Sequence, residues 1–188
     1  MYPSDPVYIL LILFFSKGCR SNPNMNIALG LNAMFTNSTG DGNVAIGSNA
    51  LYHSTGSDIT AVGRCSLEAN TTGTENVFLG NQSGHNITAG SYNIAIGSNA
   101  LFTRTTGSDA TAVGHHALKS LTTGNGNAAF GAYAGRAQTT GADNTIIGYY
   151  AGYDVTTGSN NTFVGSNAGV NVTTGNYNTF VGRLAGRQ

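Results

Sequence analysis

The sequence predicts an all-β protein, a parallel β-solenoid or β-roll of about ten 17-residue coils, on the basis of three observations. A glycine returns about every 17 residues, glycine makes up 27 of the 188 residues, and the apolar runs are only three to five residues long. A strict period along most of a chain is typical of a stacked repeat array, not of a globular domain with a single pocket. Short apolar runs and abundant glycine also disfavour helices.

One glycine in every unit, called the anchor glycine below, defines the repeat. The anchor glycines are Gly30, Gly47, Gly63, Gly80, Gly97, Gly114, Gly131, Gly148, Gly165 and Gly182. A second glycine follows ten residues later, except that Gly56 follows Gly47 after nine, so one residue is missing within 48–55. The next unit resumes in register, which places the missing residue in a surface loop. Two glycines per coil predict two corners with positive φ or a close backbone approach, and two short extended runs between them.

An asparagine stands four residues before the anchor glycine in eight of the ten units. These residues are Asn26, Asn43, Asn76, Asn93, Asn127, Asn144, Asn161 and Asn178. We expect their side chains to hydrogen-bond from coil to coil as a structural ladder, and not to bind a ligand. Ile59 and Ala110 interrupt the column, and each follows an aspartate, Asp58 or Asp109. The Thr-Thr-Gly segments are expected to form a second ladder at the edge of a turn.

The strand before each anchor glycine is apolar on both faces. In the unit of Gly97, for example, Ile94 and Ile96 point one way and Ala95 points the other. A sheet with one face in water would alternate apolar and polar residues. One face can fill the thin interior of the coil, but no segment of the chain is long enough to cover the other. We therefore predict a homo-oligomer about a shared axis, most simply a homotrimer.

The chain divides into an apolar N-terminal segment, residues 1–23, and a repeat domain, residues 24–188. The segment contains nine consecutive apolar residues, 7–15, which are too few to span a bilayer. Three roles for it remain open: an export signal, a plug on the open end of the stack, or a membrane or virion anchor. The chain stops within a coil at Gln188. Because a bare coil end is an unpaired β edge, we expect either that the natural chain continues or that a second subunit stacks there head-to-tail.

Composition restricts the possible functions. The net charge is zero and only 9% of residues are charged, so the sequence lacks the basic stripe of a nucleic-acid-binding protein. Asn, Thr, Ser and Gly must solvate the surface, a composition common in extracellular fibres, and we expect an extracellular, cell-surface or virion location. Cys19 lies in the N-terminal segment and Cys65 in a loop, a distribution that does not predict a disulfide.

No arrangement of residues predicts catalysis, a metal or a cofactor. His115 and His116 are adjacent, and adjacent side chains in an extended chain point apart, so one chain cannot easily use both for one metal. Acidic residues are sparse, and Asp58 and Asp109 are repeat equivalents, which disfavours a polysaccharide depolymerase. The paired threonines run into a glycine corner and do not form the flat Thr-x-Thr face of an ice-binding solenoid. We expect a protein that is not an enzyme.

Two motifs carry a resemblance to known proteins: Asn-Thr-Phe-Val-Gly at 161–165 and Asn-Ile-Ala-Ile-Gly-Ser-Asn-Ala-Leu at 93–101. With the Thr-Thr-Gly-Ser linkers, they resemble the head repeats of trimeric autotransporter adhesins and the repeat shafts of phage and viral tail fibres. The resemblance covers residues 24–188. It implies a parallel β-roll trimer that binds host or surface molecules.

These observations predict a structural fibre or adhesin module, a rigid rod whose loops attach to a surface. A cell-surface glycan or protein would meet variable corner residues through many weak contacts. The candidates are Arg64, His85, Arg104, His115, Arg136 and Tyr149. The alternative for each is a solvated loop residue without a ligand. A second hypothesis is a self-assembling extracellular filament subunit joined head-to-tail through its apolar N-terminal segment.

Overall fold

A computed structural model of the protein describes residues 25–187, and its ten strands form one parallel sheet in chain order. The strands are β1 (Ile27–Leu29), β2 (Val44–Ile46), β3 (Thr60–Val62), β4 (Val77–Leu79), β5 (Ile94–Ile96), β6 (Thr111–Val113), β7 (Ala128–Phe130), β8 (Thr145–Ile147), β9 (Thr162–Val164) and β10 (Thr179–Val181). The described residues form a β-solenoid of about nine turns without a helix, which confirms the predicted fold class. With about 4.8 Å between neighbouring strands, the rod is about 43 Å long. No helix within residues 25–187 is both long and apolar enough to cross a membrane.

Each coil contains one strand, whereas the sequence analysis predicted two extended runs. The segment after the anchor glycine is a series of turns, because its second and fourth residues take left-handed backbone angles. In the coil of Gly97 these residues are Asn99, with φ 56°, and Leu101, with φ 51°. Asparagine tolerates this conformation, but leucine loses about 1–2 kcal/mol in it. Leu101 is completely buried, and burial of a leucine contributes about 1.5–3 kcal/mol, enough to offset the strain.

The coil of Gly47 lacks one residue without disturbing the sheet. Ala45 still lies opposite Ala61 in the next strand. The Thr55 N–H donates to the Thr71 carbonyl, just as the Thr71 N–H donates to the Thr88 carbonyl. The missing residue is therefore the second threonine of the pair that precedes the second glycine, within the predicted interval.

The interior of the solenoid is a single apolar column. The middle residue of each strand points inward, and in β2 to β9 it is fully buried. In β5 this residue is Ala95, which lies in the same buried cluster as Ala100 and Leu101 from the turns of its coil. Each coil therefore closes on itself, with its strand on one side of the interior and its turns on the other.

The first and third residues of each strand point outward and form a second face, on which the third residue is apolar in every strand and the first is threonine in five. Its larger members include Ile94, Ile96, Phe130 and Ile147, which keep 40%, 39%, 42% and 39% of their accessible surface. One face was expected to fill the coil and the other to need a cover. The middle residues, which are Ala, Phe or Ile, fill the coil, and the first and third residues of the strands lie outside.

The predictions about residues 1–23 concern a segment outside the described residues. The same holds for Cys19 and Gln188. Cys65 lies in the turn after β3, where its thiol is buried and forms no disulfide within residues 25–187. Burial, followed by the nearby Glu68 carboxylate, raises the pKa of this thiol.

Candidate functional site

The anchor glycines occupy the corner at which every strand ends. All ten have φ between 122° and 139°. A Cβ on Gly97 would lie 2.6 Å from the carbonyl carbon of Gly114 in the next coil. The corner therefore requires glycine both for its backbone angle and for the close approach between coils.

The asparagines four residues before the anchor glycines point into the solenoid and bond to the backbone. The Asn93 N–H donates to Oδ1 of Asn76 at 2.9 Å, and Oδ1 of Asn93 accepts from the Ala110 N–H at 3.1 Å. The Asn93 side-chain amide also donates to the Gly107 carbonyl at 3.1 Å. Each such side chain thus supports both its own coil and the next one.

At the two interruptions of this column, another side chain supplies the missing donor. In the coil that contains Ile59, the Gly73 carbonyl accepts from the Asn70 side-chain amide at 3.0 Å. In the coil that contains Ala110, the Gly124 carbonyl accepts from Nη1 of Arg104 at 2.8 Å. The aspartates before Ile59 and Ala110 do not take over this bond.

Both replacement donors come from a column that the sequence analysis missed. It lies seven residues after the anchor glycine and points inward. Its members are Asn37, Ser54, Asn70, Ile87, Arg104, Leu121, Gln138, Val155 and Val172. Those from 54 to 155 are fully buried. The column was hard to recognise because its residues are partly polar and partly apolar, although every member lies seven residues after an anchor glycine.

Arg104 was expected to be a displayed corner residue, and this prediction is wrong. Its side chain is fully buried and donates to the carbonyls of Gly107 at 2.8 Å, Gly124 at 2.8 Å and Ser108 at 2.7 Å. Burial lowers its pKa to about 10, although the Asp109 carboxylate acts in the opposite direction. At neutral pH Arg104 is an internal cation held by backbone dipoles, and it is unavailable to an external ligand.

The other five candidate corner residues remain at the surface. Arg64, His115 and Tyr149 are exposed, and Arg136 is half-buried. His85 is also half-buried, and its Nε2 lies 3.2 Å from Oε2 of Glu68. Of these five, His115, Arg136 and Tyr149 each contact a tyrosine of one shared cluster.

These three residues belong to a cluster that we call the aromatic corner. It comprises His115, His116, Tyr133, Tyr149, Tyr150 and Tyr153, with Lys119 and Arg136 beside them. Tyr150 lies at its centre, with its ring 4.7 Å from that of Tyr133 and 4.8 Å from that of Tyr153, centroid to centroid. Arg136 donates from Nη1 to the Tyr153 hydroxyl at 3.0 Å. Tyr133 and Tyr150 occupy the same position in neighbouring coils, so their 17-residue spacing was the available signal.

His115 and His116 stack on each other, with ring centroids 3.9 Å apart, instead of pointing apart. The prediction assumed an extended chain, but His116 has φ 58° and lies in a turn. Burial lowers the pKa of His116 to about 4, and the positive charges of His115, Lys119 and Arg136 act in the same direction. The His116 ring is therefore neutral at physiological pH. Among residues 25–187, no group of three or more His, Cys, Asp or Glu side chains is placed to hold a metal ion.

The threonine two residues before the second glycine bonds across the stack in several coils. Thr71 Oγ1 donates to the Thr88 carbonyl at 2.9 Å, and Thr88 Oγ1 donates to the Thr105 carbonyl at 3.1 Å. These hydroxyls are committed to the backbone of the next coil. They consolidate the edge of the rod and do not form a free polar surface.

Comparison with known proteins gives no match to this chain among protein-family models, curated proteins or solved structures.

Proposed function

We propose that this protein is a non-enzymatic structural module of a fibre or adhesin. Three chains assemble about a common axis through their outer sheet faces, and the turns attach the rod to a surface. Its partners are further copies of itself and a cell-surface glycan or protein. Its location is extracellular, on a cell surface or on a virion.

The observation that carries this proposal is the outer apolar face, which runs the length of the sheet. Ile46, Leu79, Ile96 and Phe130 follow one another along it in alternate or neighbouring coils, and each keeps more than a third of its surface accessible. Monomeric soluble proteins rarely expose a continuous apolar patch of this kind. If three chains packed these faces together about an axis, the apolar face of every chain would be buried, and all three chains would have identical surroundings.

The use of polar groups inside the coil also favours a structural role. Asn93, Arg104 and Gln138 are fully buried, and their side-chain nitrogens donate to backbone carbonyls of neighbouring segments. Such side chains hold the corners of the coils in place. The only ion pair within residues 25–187, between Glu68 and His85, lies at the surface and joins two adjacent coils.

The test is the mass of the assembled full-length chain, measured by mass photometry on samples that are also imaged by negative-stain electron microscopy. We expect discrete rods of three chains. The double variant Ile96→Lys/Phe130→Lys should give folded monomers, because two cations per chain would be buried at the axis. Thr106→Lys adds a cation to an exposed turn residue and is the matched control that should remain trimeric.

Two results would contradict the proposal. If the wild-type chain is monomeric at micromolar concentration, its outer apolar face is stable in water and is not buried by other copies of the chain. Variants on the outer face that assemble as well as Thr106→Lys would place the interface elsewhere. Long unbranched filaments would favour the alternative of head-to-tail assembly through residues 1–23, and deletion of that segment would then shorten them.

A further inference from the structure

The aromatic corner offers an amphipathic platform on the side of the rod. Tyr149 keeps 56% of its surface accessible, and its ring lies 4.5 Å from that of Tyr150 at an interplanar angle of 65°. Tyr150 and Tyr153 stack nearly parallel, at 24°. Tyrosine supplies a large, rigid contact area with a hydroxyl at its edge and loses little conformational entropy on binding. The C–H-rich face of a pyranose ring complements such a surface.

The corner also carries positive charge without a matching carboxylate. Within residues 25–187, the only ion pair is that of Glu68 with His85, so neither Lys119 nor Arg136 pairs with an acid there. Nε of Arg136 and Nδ1 of His116 are buried and lack a hydrogen-bond partner among the described residues. Buried polar atoms in proteins are nearly always paired. The Nε–H of Arg136 is a donor whose acceptor is not among the described residues, whereas Nδ1 of the neutral His116 ring can itself be an acceptor.

We propose that the aromatic corner binds a carboxylate-bearing oligosaccharide, with its sugar rings on Tyr149, Tyr150 and Tyr153 and its carboxylate on Arg136. This inference rests on the proposed attachment function, since it names the chemistry that the rod recognises. Nη1 of Arg136 donates to the Tyr153 hydroxyl, and the guanidinium can still donate a charge-assisted hydrogen bond to a carboxylate, about twice as strong as a neutral one. Lys119 adds a second cation nearby, so that successive acidic sugars find a countercharge.

A glycan fits this surface better than a nucleic acid, which would also use aromatic rings and cations. Single-stranded nucleic acids bind along positively charged grooves that follow the phosphate backbone. The chain has no net charge, and only two permanent cations, Lys119 and Arg136, lie beside the rings. Hydroxyl and carboxylate acceptors on a sugar match the mixture of tyrosine hydroxyls and one guanidinium.

The experiment uses the full-length oligomer and follows tyrosine emission during titration, with calorimetry on the same samples. The chain contains nine tyrosines and no tryptophan, and four of the tyrosines lie in the aromatic corner, so emission reports on the site. The probes are a galacturonic acid hexamer and sialyllactose. Maltohexaose is the neutral control, and a thymidine hexanucleotide tests the competing ligand class.

The variants are matched to the repeat. Tyr150→Asn introduces the residue that the next coil carries at the same position, Asn167, with nearly the same φ. Tyr92→Asn does the same at the opposite corner, where Asn160 is the equivalent residue. Arg136→Gln removes the central cation, and Arg183→Gln removes an exposed cation outside the aromatic corner.

We expect saturable binding of an acidic oligosaccharide, and a Kd roughly tenfold or more weaker in Tyr150→Asn and Arg136→Gln. Tyr92→Asn and Arg183→Gln should bind as the wild type does, and maltohexaose should not bind. The inference would be overturned if neither acidic probe bound, or if maltohexaose bound as tightly as they do. It would also be overturned if all four variants lost affinity equally, or if the hexanucleotide bound more tightly than the acidic probes. After any of these results, wild-type protein that still forms trimeric rods would leave the proposed function intact and overturn only the glycan-binding inference. Wild-type protein that forms no rods would overturn the proposed function as well.

Discussion

Phe78 occupies the space that Gly84 leaves empty on the opposite wall of the same coil. A methyl group on Gly84 would overlap the Phe78 ring. The neighbouring coil has the reverse arrangement, with a small residue, Ala95, at the centre of its strand and a large one, Leu101, in its turn. Phe78, Ala95 and Leu101 are all fully buried. A large side chain at the middle of the strand is therefore balanced by a small one at the fourth position after the anchor glycine, and the reverse. This compensation keeps the width of the interior constant, so that coils of different sequence can stack.

This exchange predicts a rescue. Phe78→Ala should destabilise the protein by about 3–5 kcal/mol through the cavity that it leaves. Gly84→Leu should destabilise the protein strongly, since the leucine and the Phe78 ring cannot share the space. The double variant reproduces the pair Ala95 and Leu101 and should recover most of the stability, with a coupling energy above about 2 kcal/mol. Urea unfolding followed by circular dichroism measures all three, and additive losses would show that the two side chains do not compete.

The fold could be predicted from the sequence because its strongest signals are local. The anchor glycines and the two apolar residues before them repeat in every unit, so parallel strands in register followed directly. The second segment of the coil was mispredicted because Leu51, Leu67 and Leu101 take left-handed angles that their side chains disfavour. Burial of these leucines in the core outweighs their conformational preference. Their burial depends on the folded structure and is not visible in the sequence alone.

The candidate site was harder to predict than the fold. Arg104 was placed on the surface because arginine is seldom buried, and only the structure shows three carbonyl groups around it. The aromatic corner was not predicted as a cluster, although His115, Arg136 and Tyr149 were expected as separate corner residues. The 17-residue spacing of Tyr133 and Tyr150 was a signal that the prediction did not use. The contact of Tyr153 with Tyr150 depends on the angle of the turns, which the repeat does not specify.

The anchor glycines allow backbone strain to be separated from close packing. Gly97→Ala and Gly182→Ala place an alanine at φ 131° and 122° respectively. A Cβ on Gly182 meets no atom within 4 Å, whereas one on Gly97 lies 2.6 Å from the Gly114 carbonyl carbon. We expect Gly182→Ala to cost about 1–3 kcal/mol, from strain alone, and Gly97→Ala to cost considerably more. Thermal melting compares the two, and equal losses would mean that the coils can separate to admit a methyl group.

Arg104 should be essential because it replaces the asparagine missing at Ala110. Arg104→Leu introduces leucine, the residue that the next coil has at the same position, Leu121. The Gly107 and Gly124 carbonyls then lose the hydrogen bonds that the Arg104 guanidinium donates. We expect a loss of about 2–4 kcal/mol in the free energy of unfolding. Adding Ala110→Asn restores the ladder donor to Gly124 and should recover part of that loss. Denaturant unfolding measures both variants, and an undiminished loss in the double variant would show that the charge, not the hydrogen bond, is required.

The stability of the protein should fall as the pH decreases from about 6.5 to about 4, in part because of His116. Its pKa is about 4 in the folded chain, below the ordinary value of 6.5, so the unfolded chain binds more protons in this interval. Protonation therefore favours unfolding, and the effect is complete below about pH 4. Carboxylates titrate in the same range, so the measured quantity is the difference between variants.

His116→Asn introduces the residue found at the equivalent position 99, at a similar φ, and should reduce the decrease in Tm between pH 7 and pH 4. Lys119→Gln should act in the same direction but more weakly, because it removes one of the charges that oppose protonation of His116. Arg183→Gln also removes a cation but lies outside the aromatic corner, and should leave the pH dependence unchanged. If His116→Asn melts with the wild-type pH dependence, the imidazole is already accessible to protons in the folded rod. The positive charge of the aromatic corner would then be screened by solvent.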